Sequence, residues 1–339
     1  MRVVCTGISC SGRKELLADF ERLCRERGQP AQFFNVGDQM RLEAARAGVH
    51  FTDAKVLDSD PAVLALARRN ALLEILRQHE PGAPLFVGLH ACFRWRGVLL
   101  EGMTLDDVEE IRPDLFINVV DDISGIEKRV RANPQWQPLT RTEINVWLDE
   151  EEFLTRQFAA FLRKPYYVVA REHELGNFYD LVFTPKRKFY LSFPITLMAE
   201  EQVEQIRRYG AWLREHFVVF DPLYVKDVQV GKEAGGAVTL GEIDARTMEA
   251  IKQRTITRDY QFVRQSDFVV VLYLTDKLSP GVLAEMNFAS RYNKPVYAVY
   301  EHRASPFFEN LCSRIFPTVE ELRDFLIEEH GSAAGEAAH

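Results

Sequence analysis

Residues 268–272, Phe-Val-Val-Val-Leu, are an unbroken apolar run set between Thr257-Arg258-Asp259-Tyr260 and Ser279-Pro280-Gly281-Val282-Leu283-Ala284-Glu285. A short apolar run without polar alternation reads as a strand covered on both faces, as in a parallel sheet. The segment before it reads as a helix carrying Asp259. The segment after it reads as a Gly-containing turn opening a second helix, with Glu285 in its first turn. Open α/β sheets place their ligands at the C-terminal ends of strands. The order strand, turn, helix therefore sets Glu285 beside such an end, with free backbone N–H groups close by. A carboxylate there can act as a nucleophile.

The same alternation runs through the second half of the chain. Strands are expected at 189–191, 217–220, 268–272 and 296–300. Helices are expected at 199–216, 243–265 and 282–292. The pattern implies a mainly parallel sheet with right-handed crossovers. A chain of 339 residues exceeds the usual single domain, and Thr184-Pro185-Lys186-Arg187-Lys188 combines a turn signal with a basic run. Domains are expected at 1–185 and 186–330, with a disordered tail at 331–339. The Gly-bearing loop 227–241 reads as a mobile cover over the second site. No internal repeat stands out.

A net charge of -8 argues against a general nucleic-acid binder, which needs a basic excess to neutralise phosphate. No apolar run approaches the ~20 residues that cross a bilayer, and the N-terminus opens on a strand, not on a signal segment. The 5 cysteines are odd in number and not spaced like a disulfide framework. No Cys or His pair has zinc-site spacing, and Cys92 beside His90 reads as packing. A cytoplasmic protein that needs no metal is the expectation.

The spacing of Asp259, Ser279 and Glu285, followed by Ala289 and Lys294-Pro295-Val296, resembles the nucleoside 2-deoxyribosyltransferase family and its relatives that hydrolyse deoxynucleoside 5'-monophosphates. Upstream, Lys188-Phe189-Tyr190-Leu191-Ser192-Phe193-Pro194 looks like the family's first strand, with Tyr190 at its active-site tyrosine. The likeness covers about residues 186–300. It implies a flavodoxin-like or Rossmann-like sheet, a nucleoside or nucleotide substrate, no required cofactor, and a homo-oligomer whose sites are completed by a neighbouring subunit.

The residue types suit that chemistry. Breaking an N-glycosidic bond develops oxocarbenium character that a carboxylate can trap, which makes Glu285 the candidate nucleophile. A second carboxylate can protonate the departing base, which makes Asp259 the candidate acid, the two titrating as a coupled pair. Each residue also has a plainer reading: Glu285 as a complement to a helix dipole, Asp259 as the partner of Arg258 or Arg264, Tyr190 as a strand aromatic. The combination favours function. Ser279 stands where the monophosphate-hydrolysing branch has a phosphate-contacting Ser and the transferase branch an Asp. The loop Phe193-Pro194-Ile195-Thr196-Leu197-Met198 lacks the Gly-rich, Arg-bearing character of the former branch. Gly281, Phe193 and Asp221 complete the substrate-binding candidates.

The opening Val3-Val4-Cys5-Thr6-Gly7-Ile8-Ser9-Cys10-Ser11-Gly12-Arg13-Lys14 has the outline of a phosphate-binding loop between a strand and a helix. Arg13 takes the usual Lys position, and Lys14 the usual hydroxyl position. Phe34-Asn35-Val36-Gly37-Asp38-Gln39-Met40, His90-Ala91-Cys92-Phe93-Arg94, 97–102 and a strand at 115–120 resemble, in order and spacing, the archaeal type of adenylate kinase over about residues 1–183. The departures fall on catalytic parts. Gly88 stands in place of an Asp, both supports of magnesium are absent, and the lid-like stretch 128–141 keeps only Arg129, Arg131 and Arg141. Kinase activity is expected to be lost. Two readings of this domain stand: a nucleotide held without a strong magnesium site by Gly7, Gly12, Arg13, Lys14, His90 and Arg94, or a scaffold. Two basic residues opening a helix oppose its dipole, which an anion would relieve.

The fold class expected is thus α/β in two domains, a P-loop kinase-like parallel sheet followed by a deoxyribosyltransferase-type parallel sheet. The leading function is cleavage or transfer of an N-glycosidic bond. A non-catalytic nucleotide sensor built from two degenerate enzyme domains is the alternative, and an atypical nucleotide kinase comes third.

Overall fold

A computed structural model describes residues 1–46, 48, 51, 56–136, 138–225, 245–275 and 277–331. The expected cover loop at 227–241 and the tail beyond residue 331 lie outside the described residues. The chain is α/β. It divides into two compact units, the described residues of Met1–Glu172 with Tyr224–Thr255, and those of His173–Leu223 with Ile256–His339.

The first unit is built on strands β1 (Arg2–Thr6), β2 (Gln32–Asn35), β3 (Leu85–Gly88), β6 (Leu115–Val120) and β7 (Tyr166–Ala170), ordered β2-β3-β1-β6-β7. Every pair in it is parallel. A hairpin of β4 (Cys92–Trp95) and β5 (Val98–Glu101) stands apart from that sheet. Val4, Leu85, Val87 and Phe116 lie at the centre of its core, under helix α3 (Pro61–Gln78). Gly7, which ends the first strand's run, has φ of 149°, and a Cβ there would lie 2.7 Å from the Val119 carbonyl oxygen. Only glycine fits so close an approach.

In the second unit, β8 (Lys188–Ser192), β9 (Val218–Phe220), β10 (Phe268–Leu272), β11 (Val296–Val299) and β12 (Arg314–Phe316) form a parallel sheet ordered β12-β11-β10-β8-β9. Phe189, Leu191, Phe268, Val270 and Leu272 fill one core with Phe217 and Val219. Burying each such side chain contributes roughly 1.5–3 kcal/mol. Helices α8 (Glu200–His216), α9 (Ala245–Gln265) and α10 (Pro280–Arg291) match the sequence expectation within a few residues, and α12 (Val319–His330) follows β12.

Two positions differ from expectation. The unit boundary lies at 172/173, ahead of the junction read at 185/186. The reason is α7 (Leu175–Phe183), whose Asn177 amide donates to the Val219 carbonyl at 2.8 Å and accepts the Val219 N–H at 3.0 Å, tying that helix to β9. Helix α10 starts at Pro280, two residues early, because the Ser279 hydroxyl caps it and proline suits the first helical position.

Candidate functional site

Strand β8 connects outward to β9 on one side, and β10 connects to β11 on the other. The order reverses between β8 and β10, and in open α/β sheets the crevice at such a point, outside the C-terminal strand ends, receives ligands. Tyr190 pairs in register with Val269, and Ser192 with Val271. Residues two apart on a strand share a face. Tyr190 and Ser192 thus present two hydroxyls to the same side at the end of β8.

Glu285 meets them from α10. Tyr190 Oη donates to Glu285 Oε1 at 3.0 Å, and Ser192 Oγ donates to Oε2. Because α10 begins at Pro280, Glu285 is in the second turn, not the first. A dipole-complementing role, which fades beyond the first turn, accounts poorly for it. Burial, then the nearby Asp259 charge, pushes its carboxyl up to about 8, against the pull of Ser192, Tyr190 and Arg258. Tyr190 is fully buried, and its phenol is pushed well above the ordinary range by burial and by Glu285.

Asp259 is half-buried on α9, with the buried Arg258 guanidinium against its Oδ1 at 3.1 Å and 3.2 Å. Structure thus brings together Glu285, Asp259 and Tyr190, and adds Ser192. The other candidates are placed differently. Ser279 is buried, its oxygen accepting the Val282 N–H at the start of α10 and its backbone N–H meeting Tyr273 Oη. Gly281 is exposed beside it, and a Cβ would come no nearer than 3.7 Å to Ser279 Oγ. Phe193 packs in the core at 4% exposure. Asp221 is buried, accepting from Arg214 at 3.0 Å and from the Leu223 N–H at 2.9 Å.

In the first unit, a cavity of about 600 Å³ is bordered by the loop 8–15, Asn35, His90, Phe93 and Trp136. Gly12 has φ of 83° and precedes α1 (Arg13–Glu26). Arg13 is buried and donates to the Gly7 carbonyl at 3.0 Å and to the Leu89 carbonyl, so its guanidinium is engaged within the fold. Lys14 pairs with Asp38 at 2.6 Å, and Arg94 with Glu150. Of the lid arginines, Arg129 pairs with Asp121 and donates to the Cys10 carbonyl, while Arg131 and Arg141 share Glu127. His90 is driven well below its ordinary range by burial and by Arg13.

Sequence reading missed Glu151 as well as Ser192. Glu151 is 1% exposed and accepts the N–H groups of Gly7, Ala91 and Cys92, each at 2.9 Å. A glutamate in the middle of a 21-residue helix carries no local signal of such a role. Compared with known proteins, the chain matches no family model and no curated sequence.

Proposed function

We propose that the second unit cleaves or transfers the N-glycosidic bond of a nucleoside or nucleotide. The observation that carries this reading is the Glu285 carboxylate, held by two hydroxyls of β8 at the sheet's crevice with Asp259 close enough to perturb it. One oxygen of Glu285 forms a bond to the anomeric carbon as the carbon–nitrogen bond breaks. The bonding pair leaves with the base, which takes a proton from Asp259. Water or a second base then attacks the anomeric carbon and expels Glu285, returning a proton to Asp259. The order of the second sheet, read from its own first strand as 2-1-3-4-5, supports a flavodoxin-like, deoxyribosyltransferase-type assignment. Ser279, engaged in capping α10, still has a hydroxyl proton to offer a phosphate or sugar.

The first unit, with its strand order and its loop from Gly7 to Gly12, is proposed to be a P-loop kinase-like domain that has lost phosphoryl transfer. Arg13 bonds to two carbonyls, and Lys14 pairs with a carboxylate. Both facts weigh against an atypical kinase and leave nucleotide sensing as the second reading.

The test is incubation of the protein with a panel of nucleosides and 5'-nucleotides, with and without added free bases, following base release by chromatography beside Glu285→Gln. Release is expected from the wild type and should fall by 10³-fold or more in the variant. Equal release by both would remove Glu285 from the chemistry. No release alongside measurable nucleotide binding would favour the sensor.

A further inference from the structure

A buried carboxylate next to a second carboxylate resists ionising, yet a nucleophile must be ionised to act. The groups facing Glu285 are Tyr190 and Ser192 from β8, and Asp259 and Arg258 from α9. Tyr190 serves Oε1 only. Ser192 is the residue that serves Oε2, it is fully buried, and it lies on the final position of β8 where the strand face meets α10. A hydroxyl donating to a carboxylate oxygen makes a charge-assisted bond that favours the anion. With an O–H on each oxygen, the arrangement fits an ionised Glu285 better than a protonated one.

We propose that Ser192 is a positioning residue that favours the Glu285 anion, offsetting part of what burial and the neighbouring Asp259 charge cost it, so that the nucleophile can ionise before substrate binds. The inference rests on the N-glycosidic reading above. Burial and Asp259 push Glu285 up to about 8, so its anion is disfavoured at neutral pH, and the Ser192 hydrogen bond works against that shift.

The experiment follows Glu285 directly and through activity. Protein labelled with ¹³C at glutamate carboxyls is titrated by NMR as wild type, Ser192→Ala and Ser192→Cys, with Glu285→Gln identifying the resonance. The pH dependence of kcat/KM for base release is measured on the same proteins. Ser192→Ala is expected to move the Glu285 titration up by about one pH unit, from the loss of one charge-assisted hydrogen bond. It should lower kcat/KM about tenfold on the acid side and approach wild type at high pH. Ser192→Cys, a weaker donor of similar size, should shift in the same direction by less, and it decides the matter if the alanine variant does not fold. Superimposable titrations in wild type and variants overturn the proposal. A shifted titration without base release from the wild type overturns the glycosidic reading instead, and leaves Ser192's support of the anion standing.

Discussion

At the scale of the residue, the chemistry proposed for the second unit turns on one electrostatic opposition. Asp259 and burial make the Glu285 anion costly, and Tyr190, Ser192 and Arg258 make it cheaper. Removing the opposing charge should therefore separate two effects that act together in the wild type. Asp259→Asn is expected to lower the pH at which Glu285 ionises, from about 8 toward the ordinary carboxylate range, because a like charge no longer disfavours the anion. The plateau rate should still fall by roughly 10²–10⁴, the usual worth of a general acid. A kcat/KM profile checks both at once, and an acid limb that stays where it was would show that Asp259 does not sense Glu285. That Tyr190, Asp259 and Glu285 belong together was expected from the resemblance to the deoxyribosyltransferase family and from the chemistry of two carboxylates, and the fold brings the three side chains together. Ser192 was not legible in the sequence, since a serine inside an apolar strand looks like a tolerated polar residue until β8 and α10 are seen to converge. Phe193 and Asp221, also expected at the substrate site, are engaged by core packing and by Arg214.

Elements were read well where periodicity or an apolar run was strong, as in β8, β10 and α8, and less well where a cap decided the boundary. The link between α7 and β9 escaped altogether, because it depends on a side-chain amide pairing with strand backbone across 42 residues of chain. There, Asn177 donates to Val219 and lies 2.6 Å from His173 Nε2, which the amide N–H leaves as an acceptor. His173 is buried and pushed down to about 3, by burial first and then by Arg214. Below the ordinary range near 6.5, an unfolded chain binds a proton at this histidine that the folded chain refuses. Folding stability should consequently fall as pH drops from about 6.5 toward 3, by up to ~1.4 kcal/mol per pH unit for this one group. His173→Gln is expected to be less stable than wild type at pH 7 and to lose less on going to pH 5. Denaturant unfolding of both proteins at pH 7, 6 and 5 tests this, and parallel losses would show that His173 is not the group responsible.

Over the whole molecule, two parallel sheets with separate cores carry two differently equipped loops, and a net charge of -8 surrounds both. In the first unit, a nucleotide would have to be held by backbone N–H groups of the loop and by its flanking side chains, since Arg13 is occupied by carbonyls and Lys14 by Asp38. Phosphoryl-transfer enzymes instead lean on a magnesium ion fixed by a loop hydroxyl and a nearby aspartate. On the proposed kinase-like assignment, Lys14 and Gly88 stand at those two places here. The consequence is a nucleotide affinity without metal dependence. Calorimetric titration of the protein with a nucleoside triphosphate should give an affinity that does not rise on adding magnesium. Added salt has two opposite effects, screening the molecule's repulsion of an anion while weakening local phosphate contacts, so the comparison belongs at one ionic strength. A tenfold or greater gain in affinity with magnesium would mean that the loop assembles a metal site without its usual ligands, and the loss of kinase chemistry would have to be reconsidered. Lys14→Ala supplies the matching control. Lys14 is exposed and, among the described residues, pairs with the exposed Asp38 carboxylate, so the substitution should leave the fold intact and weaken any phosphate binding by the amount one surface cation contributes, about two- to fivefold.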